Sequence, residues 1–169
     1  MSSSDKLHLL LDSSYLLPIL GVMVEGIEDI LRLLRDLRLE RRLVIYYTPF
    51  NILEIMGKIS KLEYDKEVLQ RGLELIREEF NEIEPTIEGY IEAVRLKKKG
   101  FKDLIDLLLY TTAKTRKLKL LTRDENLIRF LRENNEPIEP IIIYEKHFIK
   151  NHSSKQKPQN KTHNNSNAN

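Results

Sequence analysis

FKDLIDLLLYTTAKTRKLKLLTRD, residues Phe101 to Asp124, is the stretch that decides the fold. Its first half is apolar on nearly every side through Leu104, Ile105, Leu107, Leu108 and Leu109, broken by Asp103 and Asp106. A helix apolar all round is buried. A carboxylate seldom enters a core uncompensated, because its desolvation is costly. The spacing i, i+3 puts Asp103 and Asp106 on neighbouring positions of one helical face. The chain then turns through Lys117, and Leu118–Thr122 (LKLLT) reads as a short strand with Asp124 just past its C-terminal end. One buried helix and one strand end each bring an acid to a common place, and the pattern predicts a metal site there.

Working outward, Leu7–Leu11 (LHLLL) is an apolar run of the length of a fully buried strand, ended by Asp12. Asp12 and Ser13 also suit the N-cap of a helix over Ser14–Leu20, which Gly21 would end. Glu25–Glu40 is amphipathic, and Leu43–Tyr47 (LVIYY) is a second strand, β-branched and aromatic. Thr48-Pro49 is a helix start for Pro49–Leu62. That helix carries Glu54 between apolar neighbours, either as an i, i+4 partner of Lys58 or as a ligand aimed at the strand ends. Asn51, one turn earlier on the same face, is placed to hydrogen-bond behind it.

Tyr64–Phe80 and Ile87–Lys99 are further helices, the second capped by Thr86, with a very short strand expected at Glu82–Glu84. Glu125–Asn134 is a short helix and Pro137–Tyr144 a final edge strand. We expect one domain over residues 1–146 and a disordered polar tail, rich in Asn and Lys, over 147–169. Strands alternating with helices imply an α/β fold with a parallel sheet and helices on both faces.

The 169 residues contain no Cys, which excludes a disulfide framework and thiolate ligands. No apolar run is long enough to span a bilayer and MSSSDK is no signal peptide, so a cytoplasmic protein with no membrane partner is expected. The formal charge of +2 is misleading. Without the three lysines of residues 151–169, 25 bases face 26 acids, so nucleic acid would have to be bound by a local basic patch. Neither a phosphate-cradling glycine loop nor a nucleophile elbow is present.

In parallel sheets, ligands bind beyond the C-terminal strand ends where strand order reverses. Asp12, Glu54, Asp106 and Asp124 can all reach that edge. Packed carboxylates repel and hold each other's protons on, and a divalent cation removes the penalty. All-oxygen ligands favour Mg²⁺ or Mn²⁺. Such an ion can activate a water and stabilise a phosphodiester in transit.

Three segments carry a family resemblance: LLLDSSYLLPIL, TPFNILEIMGKI and DLLLYTTAKTRKLKLLTRD. Together they resemble the PIN-domain ribonucleases, which include the VapC-type toxins, across about Leu7 to Tyr144. The resemblance implies a three-layer α/β/α sandwich with a central parallel sheet. It implies a metal-dependent endoribonuclease, using Mg²⁺ or Mn²⁺, with Asp12, Glu54, Asp106 and Asp124 as catalytic and metal-binding residues. It favours Asp106 over Asp103 as the third acid, leaving Asp103 peripheral or paired with Lys99 or Lys102. Thr122 resembles the hydroxyl residue that supports the site and Ser14 the small polar residue that orients the first Asp. Asn126 stands where many relatives carry another acid.

Lys114, Arg116, Lys117 and Arg123, near the motif, are candidates for RNA phosphate contacts. Partners implied by the resemblance are an RNA substrate, a cognate antitoxin and a second copy of the chain, the last docking on the broad apolar faces of the early helices. Two other readings stand beside this one. The first is a non-catalytic PIN-like scaffold or an rRNA-processing factor. The second is an unrelated α/β protein in which Asp12 and Asp124 are caps and Glu54 an ion-pair partner.

Overall fold

The apolar runs LHLLL, LVIYY and KLLT form the middle of a five-stranded sheet. The structure, a computed structural model, describes residues 6–153; the tail expected to be disordered lies outside these residues from 154 onward. The strands are β1 (Leu7–Leu11), β2 (Leu43–Tyr47), β3 (Asn81–Glu82), β4 (Lys119–Thr122) and β5 (Ile142–Tyr144). All are parallel, in the order β3-β2-β1-β4-β5. Interior strands of a parallel sheet are covered on both faces and so read as unbroken apolar runs. Leu9, Leu10 and Leu11 are accordingly all buried although they alternate sides.

Among the described residues, seven α-helices cover the sheet: α1 (Glu28–Leu39), α2 (Pro49–Ile59), α3 (Lys66–Glu79), α4 (Ile87–Lys98), α5 (Leu104–Arg116), α6 (Glu125–Glu133) and α7 (Glu145–Ser153). Two cores result, one on each face. Leu9 and Leu11 of β1 pack with Ile30, Leu34 and Leu37 of α1, Ile55 and Ile59 of α2, Ile76 of α3 and Phe148 of α7. Leu10 packs on the other side with Ala93 and Leu96 of α4, Leu107–Tyr110 and Ala113 of α5, and Leu127 and Leu131 of α6. The α/β/α sandwich expected from the sequence is the observed architecture. The all-round apolar stretch of α5 is buried over seven successive residues, Leu107 to Ala113.

The chain differs from the sequence reading in four places. The segment after β1 is not an α-helix but two short 3₁₀ turns, Ser13–Tyr15 and Leu17–Leu20. Pro18 leaves no room for a longer helix, and Gly21 ends the second turn in the left-handed region at φ 83°. Asp103 does not lie on a face of α5 with Asp106. It is the N-cap, and its Oδ1 accepts the N–H groups of Ile105 and Asp106, so its oxygen serves the helix end rather than Lys99 or Lys102. The last strand begins only at Ile142, because the prolines at 137 and 140 cannot donate to a ladder and the chain turns there.

Finally, residues 147–153 of the expected tail belong to the helix α7, which starts at Glu145. Phe148 inserts into the core beside α1, and the carboxylate of Glu145, itself buried, accepts the Tyr15 hydroxyl at 2.9 Å. The folded unit therefore extends past residue 146.

Candidate metal centre

Strand order reverses between β1 and β4, since the chain moves outward through β2 and β3 on one side and β5 on the other. Asp12 follows β1 and Asp124 follows β4, so the two acids flank the switch point. Asp12 is tied on both oxygens. Its Oδ1 accepts Ser14 N at 3.1 Å and Ser14 Oγ at 3.2 Å, and its Oδ2 accepts Thr122 Oγ1 at 2.9 Å. Thr122 Oγ1 in turn accepts the N–H of Asp124 at 3.0 Å. One buried hydroxyl thus links the ends of the two central strands. Burial pushes the Asp12 carboxyl up, the Ser14 and Thr122 hydrogen bonds pull it down, and Glu54 pushes it up again.

Asp124 is also the N-cap of α6, with Oδ1 accepting Asn126 N at 2.7 Å and Leu127 N at 3.1 Å. Capping and membership of the acid group are compatible, because a cap occupies one carboxylate oxygen. The Asn126 side chain faces solvent and accepts from Arg129 Nη2.

Glu54 comes from the second turn of α2. The start of that helix is fixed by a capping box between Thr48 and Asn51. Asn51 is fully buried, and its amide Nδ2 donates to Leu11 O at 3.2 Å and to Ser13 Oγ at 3.0 Å. Ser13 Oγ donates onward to Glu54 Oε2 at 2.6 Å. Asn51 and Ser13 therefore bolt the start of α2 to the end of β1 and aim Glu54. Ser13 is the residue that the sequence reading missed. Next to Ser14 and one step past the acid, it looks like a helix cap, and its true partner is 41 residues away.

The other oxygen of Glu54 faces Lys58 Nζ at 2.5 Å. The ion pair and the place among the acids, posed by the sequence as alternatives, are both present.

Asp106 lies in the first turn of α5, and its carboxylate has no hydrogen-bond or ion-pair partner among the described residues. Burial is the main reason its carboxyl is pushed up to about 8, followed by the charges of Asp103, Asp12, Asp124 and Glu54. Asp106 thus feels the charge of each of the other three acids named from the sequence, and it is the one among them without a partner of its own. Among the described residues, no three acidic or His side chains stand close enough to enclose an ion as they are arranged here. The donor set nevertheless suits a hard divalent cation: oxygen only, several carboxylates, one of them unpaired.

Of the four basic residues proposed to meet phosphate, three lie at the wrong edge. Lys114, Arg116 and Lys117 are at the C-terminal end of α5, about 12–16 Å along the helix from Asp106 at about 1.5 Å per residue. Lys114 is spent on Glu136 and Glu92 at 3.3 and 3.6 Å, beside Arg95. Arg116 Nε donates to Glu84 O, and Lys117 adopts the left-handed conformation that closes α5. Arg123 does lie at the strand-end edge, held by Glu25 O at 3.0 Å and Glu145 at 3.8 Å. Further bases near the Asp106 end of α5 are Lys98, the last residue of α4, and Lys99 and Lys102 in the connection to α5, all exposed.

Residues 9–132 match the PIN domain family. The chain belongs to that family. Among solved structures, it is similar to a chain of VapBC2 from Rickettsia felis bound to a promoter DNA fragment, with TM-score 0.56 at 19% identity, covering 82% of this chain and 98% of that one. It is also similar to a chain of FitAcB from Neisseria gonorrhoeae, with TM-score 0.50 at 18% identity over 73% and 93% of the two chains. A third similar structure is a toxin-antitoxin complex from Klebsiella pneumoniae, with TM-score 0.50 at 18% identity over 80% and 95%. These likenesses establish the shared fold. No curated protein matches the chain. No helix among the described residues is long and apolar enough to cross a membrane.

Proposed function

We propose that this protein is an endoribonuclease that hydrolyses RNA phosphodiester bonds with Mg²⁺ or Mn²⁺ held by Asp12, Glu54, Asp106 and Asp124. The observation that carries this reading is the unpartnered Asp106 carboxylate, which feels the charges of Asp12, Glu54 and Asp124 near the switch point of a PIN-domain sheet. The bound cation would supply an activated water and neutralise charge on the phosphodiester. The chain's own residues do the positioning. Thr122 and Ser14 set the Asp12 oxygens, Asn51 and Ser13 set Glu54, and Asp103 sets the first turn of α5 beneath Asp106. Lys98, Lys99, Lys102 and Arg123 are the bases placed to meet the RNA backbone.

The partner that fits best is an antitoxin protein, as in the toxin-antitoxin complexes among the structural neighbours, and a cytoplasmic location goes with this role. A second copy of the chain is a further partner. The apolar face of α1 is spent on the core, so the dimer surface expected on the early helices moves to α4. There Ile87, Ile91 and Val94 form an outward stripe at 81%, 64% and 53% exposure.

The test is cleavage of a mixed pool of single-stranded and structured RNA with Mn²⁺ or Mg²⁺, with wild-type protein, Asp106→Asn and excess EDTA. Metal-dependent cutting lost in the variant is the expected result. Equal cutting by both proteins, or none by either across the pool while Mn²⁺ is bound, overturns the catalytic reading. The second of these outcomes favours a docking module of the same fold.

A further inference from the structure

The acid group already holds one cation, and it belongs to the chain. Lys58 stands one turn after Glu54 on α2, and its Nζ meets Glu54 Oε1 at 2.5 Å. Glu54 Oε2 is occupied by Ser13 Oγ at 2.6 Å. Both oxygens of Glu54 are thus engaged, and an incoming ion has to compete with the Lys58 ammonium for Oε1. The Lys58 ammonium is attracted by Asp12 and Asp106 as well as by Glu54, so it acts as a counter-charge for three of the four acids. Ser13 cannot leave readily: it is fully buried and held by Asn51. Lys58 can, because about half of its side chain is exposed whereas Glu54 is only 18% exposed. A long ammonium side chain at a half-open position changes rotamer at small cost, and a partly exposed ion pair is weak.

We propose that Lys58 is a resident counter-ion of the acid site and that a divalent cation loads by displacing its ammonium from Glu54. Lys58 then sets a threshold. Carboxylates that would otherwise repel are kept packed without metal, and the cation must compete with a tethered positive charge before it gains its Glu54 ligand. Arg could not fill this place equally well, since its guanidinium forks onto carboxylates through two hydrogen bonds and is harder to displace. The inference rests on the metal site proposed above.

The experiment is calorimetric titration of Mn²⁺ into the wild-type protein, Lys58→Met, Lys61→Met, Glu54→Gln and the double variant Lys58→Met/Glu54→Gln, without RNA. Folding of each is checked by far-UV circular dichroism. Lys61, three residues further along and exposed, controls for the loss of a nearby positive charge. Lys58→Met is expected to bind Mn²⁺ at least about fivefold more tightly than wild type, the worth of one partly exposed ion pair. Lys61→Met is expected to change affinity by less than about twofold at physiological salt, where distant exposed charges are screened. The Lys58 effect should shrink to less than about half in the Glu54→Gln background, where only the longer-range attraction to Asp12 and Asp106 is left.

Unchanged or weaker binding by Lys58→Met overturns the displacement, as does equal tightening by Lys61→Met or an undiminished effect without Glu54. If neither the wild type nor Lys58→Met binds Mn²⁺, the metal site itself falls and the inference falls with it. Binding by wild type with no gain in Lys58→Met removes this inference alone.

Discussion

Replacing Asp106 with Asn should make the metal-free protein more stable, and by an amount that depends on pH. In the folded chain the Asp106 carboxyl is held at about 8, against an ordinary 3.8. The folded state therefore keeps a proton that the unfolded chain has released, and stability falls as pH rises from about 4 to about 8. The full interval corresponds to roughly 6 kcal/mol at about 1.36 kcal/mol per pH unit. Asp106 is only partly buried, and water screens a good half of that, leaving about 2–3 kcal/mol. Asn resembles the protonated acid at every pH and escapes this loss. Urea or thermal denaturation in EDTA should show near-equal stabilities near pH 4.5 and an Asp106→Asn advantage of about 2–3 kcal/mol above pH 8. For a chain of this size that is about 5–10 °C in Tm. Saturating Mn²⁺ should reverse the order, because binding stabilises only the chain that retains its ligand. A constant difference across pH, or a variant less stable than wild type in EDTA at pH 8.5, would refute the reasoning.

Other perturbations have equally definite outcomes. Thr122→Val keeps the shape but removes the hydroxyl that bonds Asp12 Oδ2 and Asp124 N; it should cost about 1–3 kcal/mol in urea denaturation and weaken Mn²⁺ binding. Glu136→Gln withdraws the nearly buried partner of Arg95 and Lys114. It should lower stability by about 1–3 kcal/mol while leaving RNA cleavage within about twofold, since this cluster is at the far end of α5. Ile91→Glu places a charge in the exposed stripe of α4, and light scattering coupled to size-exclusion chromatography should report a dimer for the wild type and a monomer for the variant. Charge removal at Lys98, Lys99 and Lys102 should raise the KM for RNA and flatten its salt dependence, whereas removal at Arg116 and Lys117 should not.

How much of this could be read in advance follows from the range of each interaction. LHLLL, LVIYY and KLLT announce themselves because a strand covered on both faces must be apolar throughout. The alternating order then places Asp12 and Asp124 at the strand ends without knowledge of any side chain. The buried α5 and the Thr48 cap are local as well, written in consecutive residues. Ser13 could not be assigned, because its choice of Glu54 over a helix cap is made by a contact across 41 residues. Lys114 looked like a phosphate contact because its partner Glu136 is 22 residues off, across α6. The helix α7 was concealed by its polar composition. It is held by Phe148 in the core and by Glu145 on Tyr15, tertiary contacts that carry no periodic signal. Asp103 was misplaced because Asp suits both a helix face and its N-cap, and only the onset of α5 at Leu104 decides between them.

The central claim is that Asp12, Glu54, Asp106 and Asp124 form one cation site, and Mn²⁺ titration calorimetry of the wild type beside Asp106→Asn at pH 7.5 tests it most directly. The account predicts saturable binding by the wild type and at least about a tenfold loss in the variant, the effect of removing one carboxylate ligand worth about 1.4 kcal/mol or more. Equal binding by the two proteins, or none by the wild type at millimolar Mn²⁺, would contradict it.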